Sequence, residues 1–214
     1  SVVSDIVAGI RDDNNEPFAL VEPNPGGWGG SRDQDGESGL VCFADGETYA
    51  ASAEIIESRY PIRVDQYRLN VEGGFGHGKF RGGLGIVKDY RMLNRKAEFT
   101  TDINRAVVEP WGLEGGGSGT LNGIYLQRNG TTLQRVRKIL SHPLEFDDVV
   151  SIRTGGGGGY GSPFDREPQM VQKDVDDGYL TAEQAREIYG VVLHPENLEI
   201  DMAATQQLRN KRGQ

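Results

Sequence analysis

The sequence predicts a mainly β, α+β chain: a β-rich body followed by a small C-terminal helical hairpin. Three observations carry that prediction. Short apolar runs, several alternating as strands do and divided by turn pairs, occupy residues 40 to 152. From Pro168 onward the apolar spacing becomes helical. The 31 glycines, about twice the ordinary share of ~7%, are gathered into clusters rather than spread.

The clusters are Gly26-Gly27-Trp28-Gly29-Gly30, Gly73 to Gly85, Gly115-Gly116-Gly117-Ser118-Gly119 and Gly155 to Gly161. Bulky apolar residues flank or interrupt them (Trp28, Phe75, Phe80, Leu84, Trp111, Tyr160), and a flexible linker has no use for such residues. The clusters therefore read as ordered, serving close backbone approach, positive-φ turns or tightly packed extended segments.

Between them, Leu40 to Ala44 is a short apolar run closed by the turn pair Asp45-Gly46. Tyr49 to Glu57 and Ile62 to Leu69 read as strands on either side of Arg59-Tyr60-Pro61. In the second, Ile62, Val64, Tyr67 and Leu69 face a core, with a slip in phase near Gln66. Leu84 to Leu93 and Lys96 to Thr101 follow. Gly123 to Arg128 and Thr131 to Val136 form a hairpin, because Asn129-Gly130 suits a primed two-residue turn. Val149 to Ile152 is the last strand. Pro168 to Asp177 and Thr181 to Tyr189 are helical, separated by Gly178. Thr181 and Gln184 fit a capping box, and Ala182, Ala185, Ile188 and Tyr189 form one apolar stripe. The resulting organisation is an N-terminal segment with the first glycine motif (1–38), a β-rich body (39–154), a glycine loop with the helical hairpin (155–192) and a polar tail (193–214).

Composition narrows the function classes. A net charge of −9 argues against a nucleic-acid partner, and Arg209, Lys211 and Arg212 read as a solvated terminus. No apolar run approaches the ~18 residues of a membrane span, and Ser1 to Asp5 lack the features of a secretory signal. A single cysteine, Cys42, excludes an internal disulfide framework and a cysteine-based zinc site, so the expected compartment is the cytoplasm.

Two glycine motifs imitate phosphate-binding loops. Gly73 to Lys79 satisfies G-x-x-x-x-G-K, but Phe80 stands where magnesium binding needs Ser or Thr, and Arg81-Gly82-Gly83-Leu84-Gly85 would break the required helix. Gly156, Gly158 and Gly161 match G-x-G-x-x-G without a helix behind them, which favours a structural turn. His77, His142 and His194 share no metal-ligand spacing; the last two precede prolines and read as loop residues. His77 differs, since Lys79 and Arg81 beside it on a glycine backbone could hold an anion or carboxylate. Asp33 and Asp35 suit a cation, a substrate or an ordinary Asx turn. Asp147-Asp148 reads as a solvated turn. No G-x-S-x-G or other triad motif is present.

Six segments in order carry a resemblance. They are Pro25 to Gly36 (glycines, Arg32, then Asp35-Gly36), Glu57 to Val64 around Tyr60-Pro61, and Gly73 to Gly85. After them come Pro110-Trp111-Gly112-Leu113 with Gly115-Gly116, then Gly155 to Pro168, and the hairpin ending Tyr189-Gly190-Val191. Together they resemble the C-terminal half of the hydantoinase B family, which includes ATP-dependent hydantoinases, 5-oxoprolinases and the acetone and acetophenone carboxylases. The resemblance implies barrel-like β-sheets running into packed polyproline-II-type glycine segments. It implies a hydantoinase A type partner subunit that holds ATP and Mg and phosphorylates the substrate, together with further subunits. Family members are more than twice this length, and the metal ligands of some fall in the other half, so no metal is assigned here. The spacer Ile10 to Pro17 is shortened relative to the family's.

The function expected from this resemblance is a subunit of an ATP-dependent ketone carboxylase of the acetone/acetophenone type. The alternatives are a subunit of an ATP-dependent cyclic-amide hydrolase and a non-catalytic scaffold in such a complex. His77, Lys79 and Arg81 are the candidate catalytic residues, and Arg32 and Asp35 the candidate substrate-binding residues.

Overall fold

The computed structural model describes residues 3–41 and 49–212. Cys42 and the Asp45-Gly46 turn lie outside these. Among the described residues nine strands form two antiparallel sheets. The first has the order β2-β1-β5-β8, from Pro17–Pro23, Val3–Ile10, Ala97–Ile103 and Lys138–Leu144. The second has the order β3-β4-β9-β6-β7, from Ile62–Leu69, Ile86–Met92, Val149–Arg153, Gly123–Arg128 and Thr131–Val136. Strands β1 and β5 alternate buried and outward residues, as sheets with one covered face do. Strand β9, central in its sheet between β4 and β6, is buried along Val149 to Ile152, with Val150 and Ile152 in the apolar core. Val3, Val7, Phe99, Tyr90, Met92, Ile124, Val150 and Ile152, drawn from both sheets, pack into one apolar core.

The expected barrel does not form. Strands β2 and β8 end the first sheet, β3 and β7 the second, and neither pair closes on itself. The polyproline-II description of the glycine runs is likewise replaced. An isolated polyproline-II helix keeps its backbone solvated, whereas here the runs bond backbone to backbone between the sheets and the C-terminal helices. Gly27 N–H donates to Gly155 O, Gly76 N–H to Gly157 O, Gly157 N–H to Gly83 O and Gly159 N–H to Gly117 O, at 2.8–3.0 Å. The run 155–161 touches all three others. A Cβ at Gly157 would lie 1.9 Å from the Trp28 carbonyl oxygen, so only glycine permits this approach.

The Asn129-Gly130 hairpin forms, with φ of 51° and 73°, and the slip near Gln66 is a bulge between Val64 and Gln66. Other readings are corrected. Within the expected strand Tyr49 to Glu57, Ala53–Arg59 is helix α1, started by Ser52, whose side chain accepts from Ile55 N–H, and tied to the core by Ile56. The N-terminal segment is the β1–β2 hairpin, and His142 lies in β8 rather than in a loop. The tail carries helix α4 (Met202–Arg212), so the Arg209 region is not a frayed end. Asp148 is buried and takes two hydrogen bonds from Arg128, at 2.7 Å each, in place of a solvated turn.

Helices α2 (Pro168–Asp176) and α3 (Ala182–Tyr189) form the hairpin. The Thr181/Gln184 capping box starts α3, and Gly190 at φ 64° ends it. Val171, Leu180, Ala185, Tyr189 and Val191 seal against Phe75 and Leu84, forming a second core over the glycine runs. No helix among the described residues is long and apolar enough to cross a membrane.

Candidate functional site

The run Gly73 to Gly85 meets the helical hairpin, and there the structure brings four of the five predicted residues near one another. His77 is half-buried, and a hydrogen bond of 2.9 Å joins its Nδ1 to the Tyr189 hydroxyl. Phe75 and Tyr189 pack edge-on against the imidazole, with centroids at 5.3 and 5.5 Å. Burial lowers the His77 pKa, with the Asp174 charge pulling the other way, which favours a neutral ring. Burial raises the Tyr189 pKa and keeps the phenol protonated. When Nε2 carries the ring proton the hydroxyl donates to Nδ1, and Nε2 has no partner among the described residues. His77 lines a cleft of about 280 Å³ with Val71, Phe75, Tyr179, Leu180 and Gln184. That volume is close to the lower end for small-molecule sites.

Arg81 and Asp35 sit behind this wall in a buried ion-pair network. Arg166 Nη1 and Nη2 donate to the two Asp35 carboxylate oxygens at 2.7 and 2.8 Å, and its Nη2 also donates to Asp174 at 2.7 Å. Arg81 Nε donates to the other Asp174 oxygen at 2.8 Å. The Arg81 guanidinium lies between the Phe75 and Tyr179 rings, 5.1 Å from each centroid. Two cations and two carboxylates thus balance out of water. Burial opposes the Arg166 charge, but hydrogen bonding to Asp35 and the Asp174 and Asp35 charges outweigh it, holding the group above its ordinary range. Arg166 and Asp174, which sequence reasoning missed, lock the first glycine motif to α2. Lys79 is exposed, with Nζ 5.6 Å from the Phe80 ring centroid. Arg32 is exposed and apart from the cluster, and the Ser31 hydroxyl donates to Asp33, making an ordinary turn.

Phe80 pairs with Tyr160 in a backbone bridge instead of starting a helix, so the Gly73 run offers no helix N-terminus to a nucleotide phosphate. Among the described residues no group of three or more His, Cys, Asp and Glu is placed to hold a metal.

A second polar centre lies between the sheets. Glu22 accepts from Lys88 Nζ, from the Tyr90 hydroxyl and, at 3.0 Å, from Ala51 N–H. Beside it Asn24 Nδ2 donates to one oxygen of Asp5, while Asp5 Oδ2 and Asn24 Oδ1 are buried without partners. Burial pushes the Asp5 pKa up to about 7; the Asn24 bond and Lys88 oppose this and Glu22 adds to it. The charged positions Glu22 and Lys88 inside strands β2 and β4 were the sequence signal for this centre.

The fold is shared with known proteins. The hydantoinase B/oxoprolinase family model matches residues 2–163. The chain belongs to this family. It is 30% identical over 207 residues to the B component of a putative D-/L-hydantoinase of Pseudomonas sp. strain NS671, covering 95% of this chain and 34% of that one. An ATP-dependent caprolactamase from Pseudomonas jessenii superposes with a TM-score of 0.75 at 26% identity, over 98% of this chain and 38% of the other. A nucleotide-free acetone carboxylase superposes with a TM-score of 0.77 at 22% identity, over 99% and 32%, and shows the shared fold. The chain spans 28–34% of the length of the first curated relatives it matches.

Proposed function

We propose that this chain is part of the hydantoinase B type component of an ATP-dependent cyclic-amide hydrolase, working with a hydantoinase A type subunit that holds ATP and Mg. The ketone-carboxylase expectation gives way to this reading. By sequence the chain is 30% identical to the hydantoinase component and 28% to an acetone carboxylase alpha subunit. By superposition it is 26% identical to the caprolactamase and 22% to an acetone carboxylase, so on each like-for-like comparison a cyclic-amide hydrolase stands slightly ahead. ATP makes chemical sense for such a substrate, because phosphorylating an amide oxygen turns an unreactive carbonyl carbon into one that water attacks.

The observation that carries the site assignment is His77: a neutral imidazole oriented by Tyr189, with an unpartnered Nε2 beside a cleft. In this reading Nε2 moves a proton during ring opening, and Lys79 faces the anionic substrate or intermediate. Arg81 and Asp35 act as positioning residues, holding the glycine run through Asp174 and Arg166. Arg32, exposed on the first glycine motif, is retained as an outer substrate contact.

The test is phosphate release by the assembled complex, given hydantoin or 5-oxoproline without bicarbonate, or acetone with bicarbonate. Turnover with the cyclic amide alone is expected, and turnover requiring ketone and bicarbonate overturns the proposal. His77→Gln should lower kcat by about 10²-fold or more and remove a limb of the pH profile. An unchanged kcat and pH profile in an intact complex would instead assign this chain a scaffolding role.

A further inference from the structure

Away from the His77 cleft, a depression of about 410 Å³ is lined by three cationic side chains, Arg105, Arg137 and Lys138, with Asn104, Val107 and Val108. Its floor is held in place. Arg105 has a φ of 51°, in the left-handed region that side chains other than glycine, Asn and Asp seldom occupy. Buried Asn122 fixes that turn from both sides: its backbone N–H donates to Arg105 O at 2.9 Å, and its Nδ2 to Asn104 O at 2.7 Å. The Arg105 guanidinium stacks 4.9 Å from the centroid of exposed Trp111. Arg137 is the single residue linking β7 of one sheet to β8 of the other, and its exposed guanidinium has no partner among the described residues. Lys138 is held by exposed Asp102 at 3.1 Å.

We propose that this depression is an oxyanion-binding site, taking the phosphate or carboxylate of an acidic ligand on Arg105 and Arg137. Guanidinium forks match both groups bidentately. Stacking on Trp111 and the pinned turn restrict Arg105 before any ligand arrives, so less entropy is lost on binding. On a chain of net charge −9, Arg105 and Arg137, with Lys138 balanced by Asp102, make a local exception that draws anions to this spot. The proposal stands independently of the His77 assignment.

The chain has two tryptophans, Trp28 and Trp111. Trp28→Phe therefore leaves Trp111 as the reporter. Titration of that protein with inorganic phosphate, and separately with glutarate, should change Trp111 emission saturably, with an apparent Kd that rises with added sodium chloride. Arg137→Ala should weaken the response about tenfold. Arg105→Asn, which keeps a residue tolerant of positive φ, should do the same. The better ligand distinguishes a phosphate source from a carboxylate one. No saturable response up to ~50 mM of either anion, well above the ~1 mM range of weak specific binding, overturns the proposal. So does an unchanged apparent Kd in the Arg137 variant, whose exposed side chain can be removed without disturbing the fold.

Discussion

Replacing Asp5 by Asn tests the polar centre between the sheets. Its carboxyl titrates at about 7 in the fold against 3.8 when free. Below pH 3.8 both states hold the proton, and the contribution to stability is fully present. Between 3.8 and 7 the folded chain keeps a proton that the unfolded chain has released, so stability falls as pH rises; above 7 the loss is complete. Each pH unit inside that window is worth ~1.4 kcal/mol, so the part between pH 5 and 7 amounts to about 3 kcal/mol. The Asp5→Asn chain has no such titration, and its amide can donate to the orphaned Asn24 Oδ1 while still accepting from Asn24 Nδ2. Urea unfolding of both proteins at pH 5, 6, 7 and 8 measures the difference, in which the titrations common to both cancel. The variant should gain about 3 kcal/mol on the natural chain between pH 5 and 8. A difference constant to within ~0.5 kcal/mol across that range would refute the reasoning, as would a variant that loses ground with rising pH.

Three further outcomes follow from the packing. Gly157→Ala forces a Cβ against the Trp28 carbonyl and should cost more than about 4 kcal/mol, read as lost near-UV circular dichroism or failure to recover folded chain. Asp174→Asn leaves Arg81 and Arg166 sharing one carboxylate, and a loss of about 3 kcal/mol should lower the Tm by roughly 6–12 °C in a chain of this size. Thr181→Ala removes the side chain that caps α3 and should cost about 1 kcal/mol in urea unfolding, with little effect on the sheets.

What the sequence revealed depended on the range of the interaction. The Asn129-Gly130 hairpin, the bulge at Gln66 and the Thr181 cap are set by residues within a few positions of one another, and each was legible. Helix α1 was not, because its boundary rests on one serine hydroxyl and its burial on Ile56 alone. The β1–β2 hairpin escaped too, and what gives its pattern meaning is pairing with β5, 88 to 100 residues on. At the candidate site, His77 stood out by type and neighbours, but its orienting partner Tyr189 lies 112 residues away. Arg81 read as a free cation for the same reason: the carboxylates that neutralise it come from Asp174, on a helix 93 residues later, and from Asp35 in the first motif. Residue type was visible, and occupancy was not.

The position of residues 155–161 among the other glycine runs has a consequence for how the molecule is made. Segments near residues 27, 80 and 117 each complete their backbone bonding against this one stretch, which is synthesised after all of them. Until it leaves the ribosome, the amides of Gly27, Gly30, Gly76 and Thr120 lack their native acceptors, the carbonyls of residues 155–158. Completion of the centre therefore waits on this stretch, and a nascent chain halted before residue 155 should be a ready substrate for proteases and chaperones.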